Sequence, residues 1–135
     1  MRLAKGNFYV ACHGLIRKNG KYLLTRRSDK NDFMATYWDI PGGTIEFGEK
    51  LEQGLKREIK EESNIKIKPV RIIAAYTNHW PRYKRQVTQL TYLCDYVSGQ
   101  VKLNPQEHSE YVWIKKKDIK RYKLIHFVND LAEQF

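Results

Sequence analysis

A chain of 135 residues, 41% hydrophobic and 30% charged, can bury one substantial core and is too polar to live in a bilayer. Its longest apolar runs, residues 8–16 and 90–97, are too short and too interrupted to span one, and Met1-Arg2-Leu3-Ala4-Lys5 lacks the apolar stretch and cleavage site of a secretion signal. With 25 Lys+Arg against 15 Asp+Glu the formal charge is +10, a field that attracts polyanions without separating a nucleotide from a nucleic acid.

Taken in chain order, residues 8–17 are β-rich and apolar on both faces, as a central strand would be. Asn19-Gly20 predicts a tight hairpin, with the returning strand over 21–27. Residues 28–36 read as a loop, and Trp38-Asp39-Ile40 as a short strand stopped by Pro41-Gly42-Gly43. A helix rich in Leu, Glu, Lys and Arg follows over 50–63. Residues 65–76 read as a strand broken at Pro69, 78–85 as a loop, and 86–97 as a strand with Leu90, Tyr92, Cys94 and Tyr96 on one face.

Gly99 and Pro105 bracket a connection to a last strand over 110–114. Leu124, Phe127, Val128, Leu131 and Phe135 then recur at the spacing of an amphipathic helix. The order β-β-β-α-β-β-β-α predicts an α/β (α+β) fold, one mixed sheet packed between helices as an α/β/α sandwich. No repeat, linker or low-complexity stretch divides the chain, so a single domain over 1–135 is expected. Cys12 and Cys94 sit in apolar strand segments, as buried thiols of a reducing cytoplasm would, and no CxxC or Cys/His spacing points to zinc.

Charge is unevenly placed. Basic residues crowd 82–85 and 115–123, while the acids gather between Glu46 and Glu62. On a helical wheel with Glu58 at zero, Glu61 lies near about −60° and Glu62 near about +40°, beside a stripe of Leu51, Leu55 and Ile59 at roughly 20° to 100°. Lys56, Lys60 and Gln53 lie opposite. Three carboxylates bordering a buried stripe repel one another unless a cation joins them, and hard divalent ions with oxygen ligands do so. A charged surface helix with pairs such as Glu52–Lys56 is the other reading, and the wheel alone leaves both open.

The run from Gly43 resembles the signature of the Nudix hydrolases, G-x5-E-x7-R-E-U-x-E-E-x-G-U with U a bulky aliphatic. Gly43, Glu49, Arg57, Glu58, Ile59, Glu61, Glu62 and Ile65 match, eight of nine fixed positions over 23 residues. Asn64 stands where the family has Gly, and Asn is the next residue most tolerant of a left-handed backbone. The likeness extends through 38–42 upstream and 107–113 downstream, and Leu23-Leu24-Thr25-Arg26-Arg27 resembles the MutT-type branch.

The resemblance implies a Nudix fold and hydrolysis of a phosphoanhydride bond with Mg²⁺ (or Mn²⁺). By it Glu58, Glu61 and Glu62 bind the metal, joined by the Gly42 carbonyl, while Arg57 pairs with Glu49 and orients the helix. Arg27, with Arg26 beside it, is placed on the phosphates. Glu107 takes the position of a loop glutamate that binds metal or activates water, with Glu110 as competitor. The general base is ordered Glu61 or Glu58 first, Glu107 second. The implied mechanism is direct attack of metal-activated water at phosphorus with no covalent intermediate, and Ser28, Ser63 and Ser109 show no nucleophile context.

Asn78 and Trp80, within Asn78-His79-Trp80-Pro81-Arg82-Tyr83, offer amide and aromatic surface for a base. Pro81, 16 residues past Ile65, resembles the ADP-ribose marker of the family, and Tyr83, 18 past, the diadenosine-polyphosphate marker; they point to different substrates. The leading expectation is a nucleoside triphosphate (an oxidised one of the 8-oxo-dGTP kind included) cut to monophosphate and pyrophosphate. An ADP-ribose, nucleotide-sugar or dinucleoside polyphosphate pyrophosphatase is the alternative, although its added N-terminal dimerisation element is not seen in the roughly seven residues before the first strand. A non-catalytic RNA-binding module is a third reading, opposed by the intact glutamates. No membrane and no stable nucleic-acid complex are expected, and the protein is expected as a monomer or homodimer.

Overall fold

The Asn19-Gly20 turn sets the first half of the sheet in the computed structural model, which describes residues 5–31 and 34–134. Both turn residues have positive φ, 52° and 75°, the left-handed pair that a two-residue hairpin needs. They join β1 (Asn7–Lys18) to β2 (Lys21–Arg27). The two strands pair only at Arg17↔Tyr22 and Lys18↔Lys21, then part.

The gap organises everything that follows. On its side, β1 takes β4 (Gly42–Thr44) as an antiparallel neighbour at Ala11, Cys12 and His13. On the other, β2 takes β3 (Trp38–Asp39) and β7 (His108–Lys115). With β5 (Lys66–Trp80) and β6 (Arg85–Ser98) these form a seven-stranded sheet of order β3-β2-β1-β6-β5. β1 runs parallel to β6, and the other strand pairs are antiparallel, so the sheet is mixed with β1 at its centre.

Side chains alternate across the strands and fill two cores. Cys12, Ile16, Leu23, Tyr92 and Cys94 face α1 (Leu51–Ser63), which contributes Leu55 and Ile59. Leu15, Leu24, Ile40 and Leu93 face α2 (His126–Glu133), which contributes Phe127, Val128 and Leu131. Each fully buried Leu or Ile adds roughly 1.5–3 kcal/mol of transfer free energy. The result is the expected α/β/α sandwich. Both cysteines are buried and free, and burial pushes their thiols up to about 11 and about 12, which keeps them protonated and unreactive.

Three expectations are corrected. Residues 42–44 do not merely stop a strand but form β4, because Gly42 without a Cβ can lie flat against β1, where a Cβ would strike the Cys12 carbonyl and His13. The strand before the base-recognition segment is not broken at Pro69 and carries on through Asn78 to Trp80. β5 is an edge strand, so the missing N–H of Pro69 is absorbed by a register irregularity between Pro69 and Arg71. The reversal falls later, at a 3₁₀ turn over Pro81–Tyr83 closed by Lys84 at φ 50°. Last, α2 begins at His126, after a 3₁₀ turn over Lys116–Arg121; Leu124 joins the same core from outside the helix, and Phe135 lies outside the described residues.

Candidate active site

α1 is anchored at both ends. Its N-terminus follows a turn in which the Glu46 N–H donates to Glu49 at 2.7 Å and the Lys50 N–H to Gln53 at 3.2 Å. Its C-terminus closes on Asn64 at φ 65°, ψ 16°, the left-handed cap, and the Asn64 amide donates to the Gln100 carbonyl at 3.2 Å. Between them Leu55 and Ile59 pin one face to the sheet, and Glu58 and Glu62 are carried to the gap between β1 and β2.

The gap is lined by carboxylates. Glu62 accepts the Gly42 N–H at 3.0 Å, and Glu58 lies so close to Gly43 that a Cβ there would meet its carboxylate carbon at 2.5 Å. Burial pushes Glu62 up to about 8, and Asp39, Glu107 and Glu58 push in the same direction, against the Gly42 N–H. Burial also raises Glu58, which Arg57 pulls back down. Glu61, 60% exposed where Glu58 is 18%, hangs at the outer rim.

Arg57 is the hub of the outer side. Its Nε and Nη2 donate to Glu49 at 2.7 and 2.8 Å, and Nη1 reaches Glu58 at 3.1 Å and Glu61 at 3.2 Å. Nη2 also meets the Thr44 carbonyl at 3.2 Å, which ties the helix to β4. The Arg57 hydrogen bonds hold Glu49 down at about 2. On the inner side Arg27 stands 3.6 Å from Asp39 and 3.2 Å from Asn31. Asp39 is 5% exposed; burial raises it to about 6 while the Ile40 N–H and Arg27 hold it back.

Residues 8–135 match the NUDIX domain. The chain is 30% identical over 119 residues to the nucleoside triphosphatase NudI of Escherichia coli K12, covering 82% of this chain and 84% of that protein. Its structure is similar to that of a MutT protein from Methanosarcina mazei (TM-score 0.82, 30% identity, 98% of this chain and 95% of that one). It is equally similar to a MutT NUDIX hydrolase from Burkholderia pseudomallei (TM-score 0.82, 26% identity, 95% and 98%). This chain is a Nudix hydrolase of the MutT-type branch. It is therefore a pyrophosphohydrolase, and none of its described helices is long and apolar enough to cross a membrane.

Nudix hydrolases work with a divalent cation, and the donor set fits one. Hard carboxylate oxygens from Glu58 and Glu62 flank the Gly42-Gly43 backbone, and Glu107 adds to their field. Among the described residues no three acidic or imidazole groups converge into a ready cage, because Arg57 draws Glu58 and Glu61 outward while the Gly42 N–H holds Glu62.

The remaining predicted positions separate. Glu107 joins the field of Glu58 and Glu62, with its backbone fixed by Asn31 and Ser28, whereas Glu110 turns to Arg26 at 3.9 Å. Arg26 also donates to the Thr36 carbonyl at 3.4 Å, which directs it away from the glutamates. Asn78 and Trp80 lie on β5 in register with Val87 and Arg85 of β6.

Sequence reasoning passed over Asp39, His13 and His108. All three reach the gap: Arg27 lies in the field of both histidines, and burial pushes each imidazole down to about 4, so both are neutral. The signal for Asp39 was an acid flanked by Trp38 and Ile40 in a short apolar run, a place where a charge is costly without a partner. For the histidines no local pattern existed.

Proposed function

We propose that this Nudix hydrolase cleaves a nucleoside triphosphate to the monophosphate and pyrophosphate, with Mg²⁺ or alternatively Mn²⁺. The observation that carries the reading is Glu62 on the Gly42 N–H and Glu58 against Gly43, with Glu107 contributing to the field of both. The likeness to an E. coli nucleoside triphosphatase over most of both chains supports the triphosphate.

When bound, the divalent cation supplies charge neutralisation on the phosphates and acidifies water. Glu58, Glu61, Glu62 and Glu107, with the Gly42 carbonyl, hold it. Arg57 positions Glu58 and Glu61 by its hydrogen bonds, and Glu49 fixes Arg57 in turn. Arg27 takes phosphate charge, relieved of part of its own by Asp39, and Arg26 adds positive field at the rim. Glu61 or Glu58 accepts the proton of the attacking water, with Glu107 the next in order.

Water attacks the phosphorus nearest the nucleoside, and the bond to the outer two phosphates breaks. Hydrolysis in ¹⁸O-labelled water therefore puts the label in the monophosphate. Label in pyrophosphate would mean attack at the β-phosphorus and would overturn this phosphate register. Failure on every triphosphate, with efficient cleavage of ADP-ribose or a nucleotide sugar, would replace the substrate class and give Pro81 its meaning.

A further inference from the structure

The α2 face of the sheet holds a polar side chain that the chemistry above leaves unused. Gln89 of β6 is 6% exposed, and its Nε2 has no hydrogen-bond partner. A buried amide hydrogen left without an acceptor is destabilising, and native proteins keep few of them. The Tyr76 hydroxyl, on the residue paired with Gln89, is likewise buried without a partner. The neighbours of Gln89 across the strands are Ala11 and Tyr76, beside which a Met or Leu would sit without any such cost.

The ladder of the sheet locates Gln89 relative to the glutamates. One row crosses the strands as Gly42, His13, Thr91 and Ala74, and it contains the backbone that holds Glu62. The next row is Thr44, Ala11, Gln89 and Tyr76, followed by Tyr9, Val87 and Asn78, then Asn7, Arg85 and Trp80. At 3.2–3.4 Å per residue successive rows are roughly 6.6 Å apart, and neighbouring strands lie roughly 4.8 Å apart, so Gln89, one row and two strands from Gly42, stands roughly 12 Å away, Asn78 roughly 20 Å and Trp80 roughly 25 Å. A base is joined to its α-phosphate through one pentose, a span on the order of a row or two. Of the three, Gln89 is the one in reach.

Chemistry agrees with position. An amide presents a donor and an acceptor in one plane, the pattern that matches the polar edge of a nucleobase. Ala11 and Tyr76 flank the amide on the neighbouring strands, and the Tyr76 ring sets an aromatic surface beside it. We infer that Gln89 is a specificity-determining residue whose Nε2 donates to a ring nitrogen or carbonyl oxygen on the substrate's base. This rests on the reading of the substrate as a nucleotide whose phosphates lie at Gly42 and the glutamates.

The test compares wild type with Gln89→Met and Gln89→Asn across the four ribonucleotide and four deoxyribonucleotide bases. Each base is offered as the triphosphate, read as kcat/KM, and as the monophosphate, read as binding affinity. Wild type should separate the bases by about tenfold or more, and Gln89→Met should compress that range by lowering the preferred base at least about tenfold while the poorest changes little. The melting temperature of Gln89→Met should stay level or rise, because the unpartnered amide is gone. Gln89→Asn should restore part of the discrimination.

An unchanged base profile in Gln89→Met would overturn the inference, as would a uniform loss over all bases accompanied by a lower melting temperature, the mark of a packing role. Wild type that binds all bases alike would overturn it too. If no triphosphate turns over, the proposed reaction fails, and the monophosphate affinities still decide for or against Gln89.

Discussion

The two faces of the sheet are filled by different rules. Under α1 the buried cluster of Cys12, Ile16, Leu23, Leu55, Ile59, Ile65 and Cys94 is apolar, and Ser63 beside it is satisfied by donating to the Ile59 carbonyl at 2.7 Å. Under α2 an apolar cluster shares its layer with His13 and Gln89, whose Nδ1 and Nε2 have no partner. Packing alone favours apolar residues at both positions. The closed face holds one helix still so that its glutamates stay at the gap; the other keeps hydrogen-bonding capacity in reserve for something that is not protein.

If that division is right, the carboxylates at the rim of α1 can be neutralised without disturbing either core. Glu62→Gln or Glu58→Gln should lower kcat by about a hundredfold or more, while the melting temperature changes little. Steady-state turnover at saturating nucleotide and Mg²⁺, with a thermal melt of each variant, measures both. Variants that lose fold and activity together would show that these glutamates hold the α1 face in place, and the contrast between the faces would break.

The polar face should respond to acid. His13 and His108 have folded values of about 4, below the ordinary 6.5, because burial disfavours the charged imidazole. Above pH 6.5 both states are neutral and nothing is at stake. Between about 6.5 and 4 the unfolded chain takes up protons that the folded one refuses, so stability falls as pH falls through that window and levels off below it. Asp39 and Glu62, whose values are raised to about 6 and about 8, pull the other way, so the whole-protein curve mixes both signs. The difference between wild type and His108→Gln isolates the histidine. The variant should gain on wild type by on the order of 2 kcal/mol between pH 7 and pH 4, by denaturant titration at each pH. A difference that does not change with pH would mean that His108 titrates normally in the fold.

How legible these features were depends on the range of the interactions behind them. The helix over residues 51–63, its glutamate spacing and the 19–20 turn are fixed within a few residues of chain and were readable from local pattern, whereas the Arg57–Glu49 pair was expected from the family resemblance alone. β4 was hidden because its pairing with β1 joins segments about thirty residues apart and relies on the missing Cβ of Gly42, in a Gly-Gly pair that reads locally as a turn. The extension of β5 to Trp80 was hidden because Pro69, Asn78 and Pro81 are loop signals that edge position and a long antiparallel partner override. His13, Asp39, His108 and Gln89 come from four strands and acquire meaning only when the gap and the α2 face bring them together.

The smallest effect belongs to the one departure from the family signature, at the joint between the closed face and β5. Asn64 is left-handed, at φ 65°, where a residue with a Cβ pays about 1 kcal/mol that glycine does not. Asn recovers part of this by donating to the Gln100 carbonyl at 3.2 Å and accepting from Lys60 at 3.4 Å, both at the surface and each worth little alone. Asn64→Gly relieves the backbone but loses those bonds and frees the unfolded chain, so the terms nearly cancel and stability should stay within about 0.5 kcal/mol of wild type. Asn64→Ala keeps the strain and loses the bonds, and should cost about 1 kcal/mol or more. Both should leave kcat near wild type, because the Asn64 side chain bonds Gln100 and Lys60 and takes no part in the glutamates' hydrogen bonds to Arg57 and Gly42. Equilibrium denaturation of the two variants checks the ordering. Ala as stable as Gly would show that the left-handed cap is dispensable and that the buried stripe of Leu55, Ile59 and Ile65 alone docks the helix.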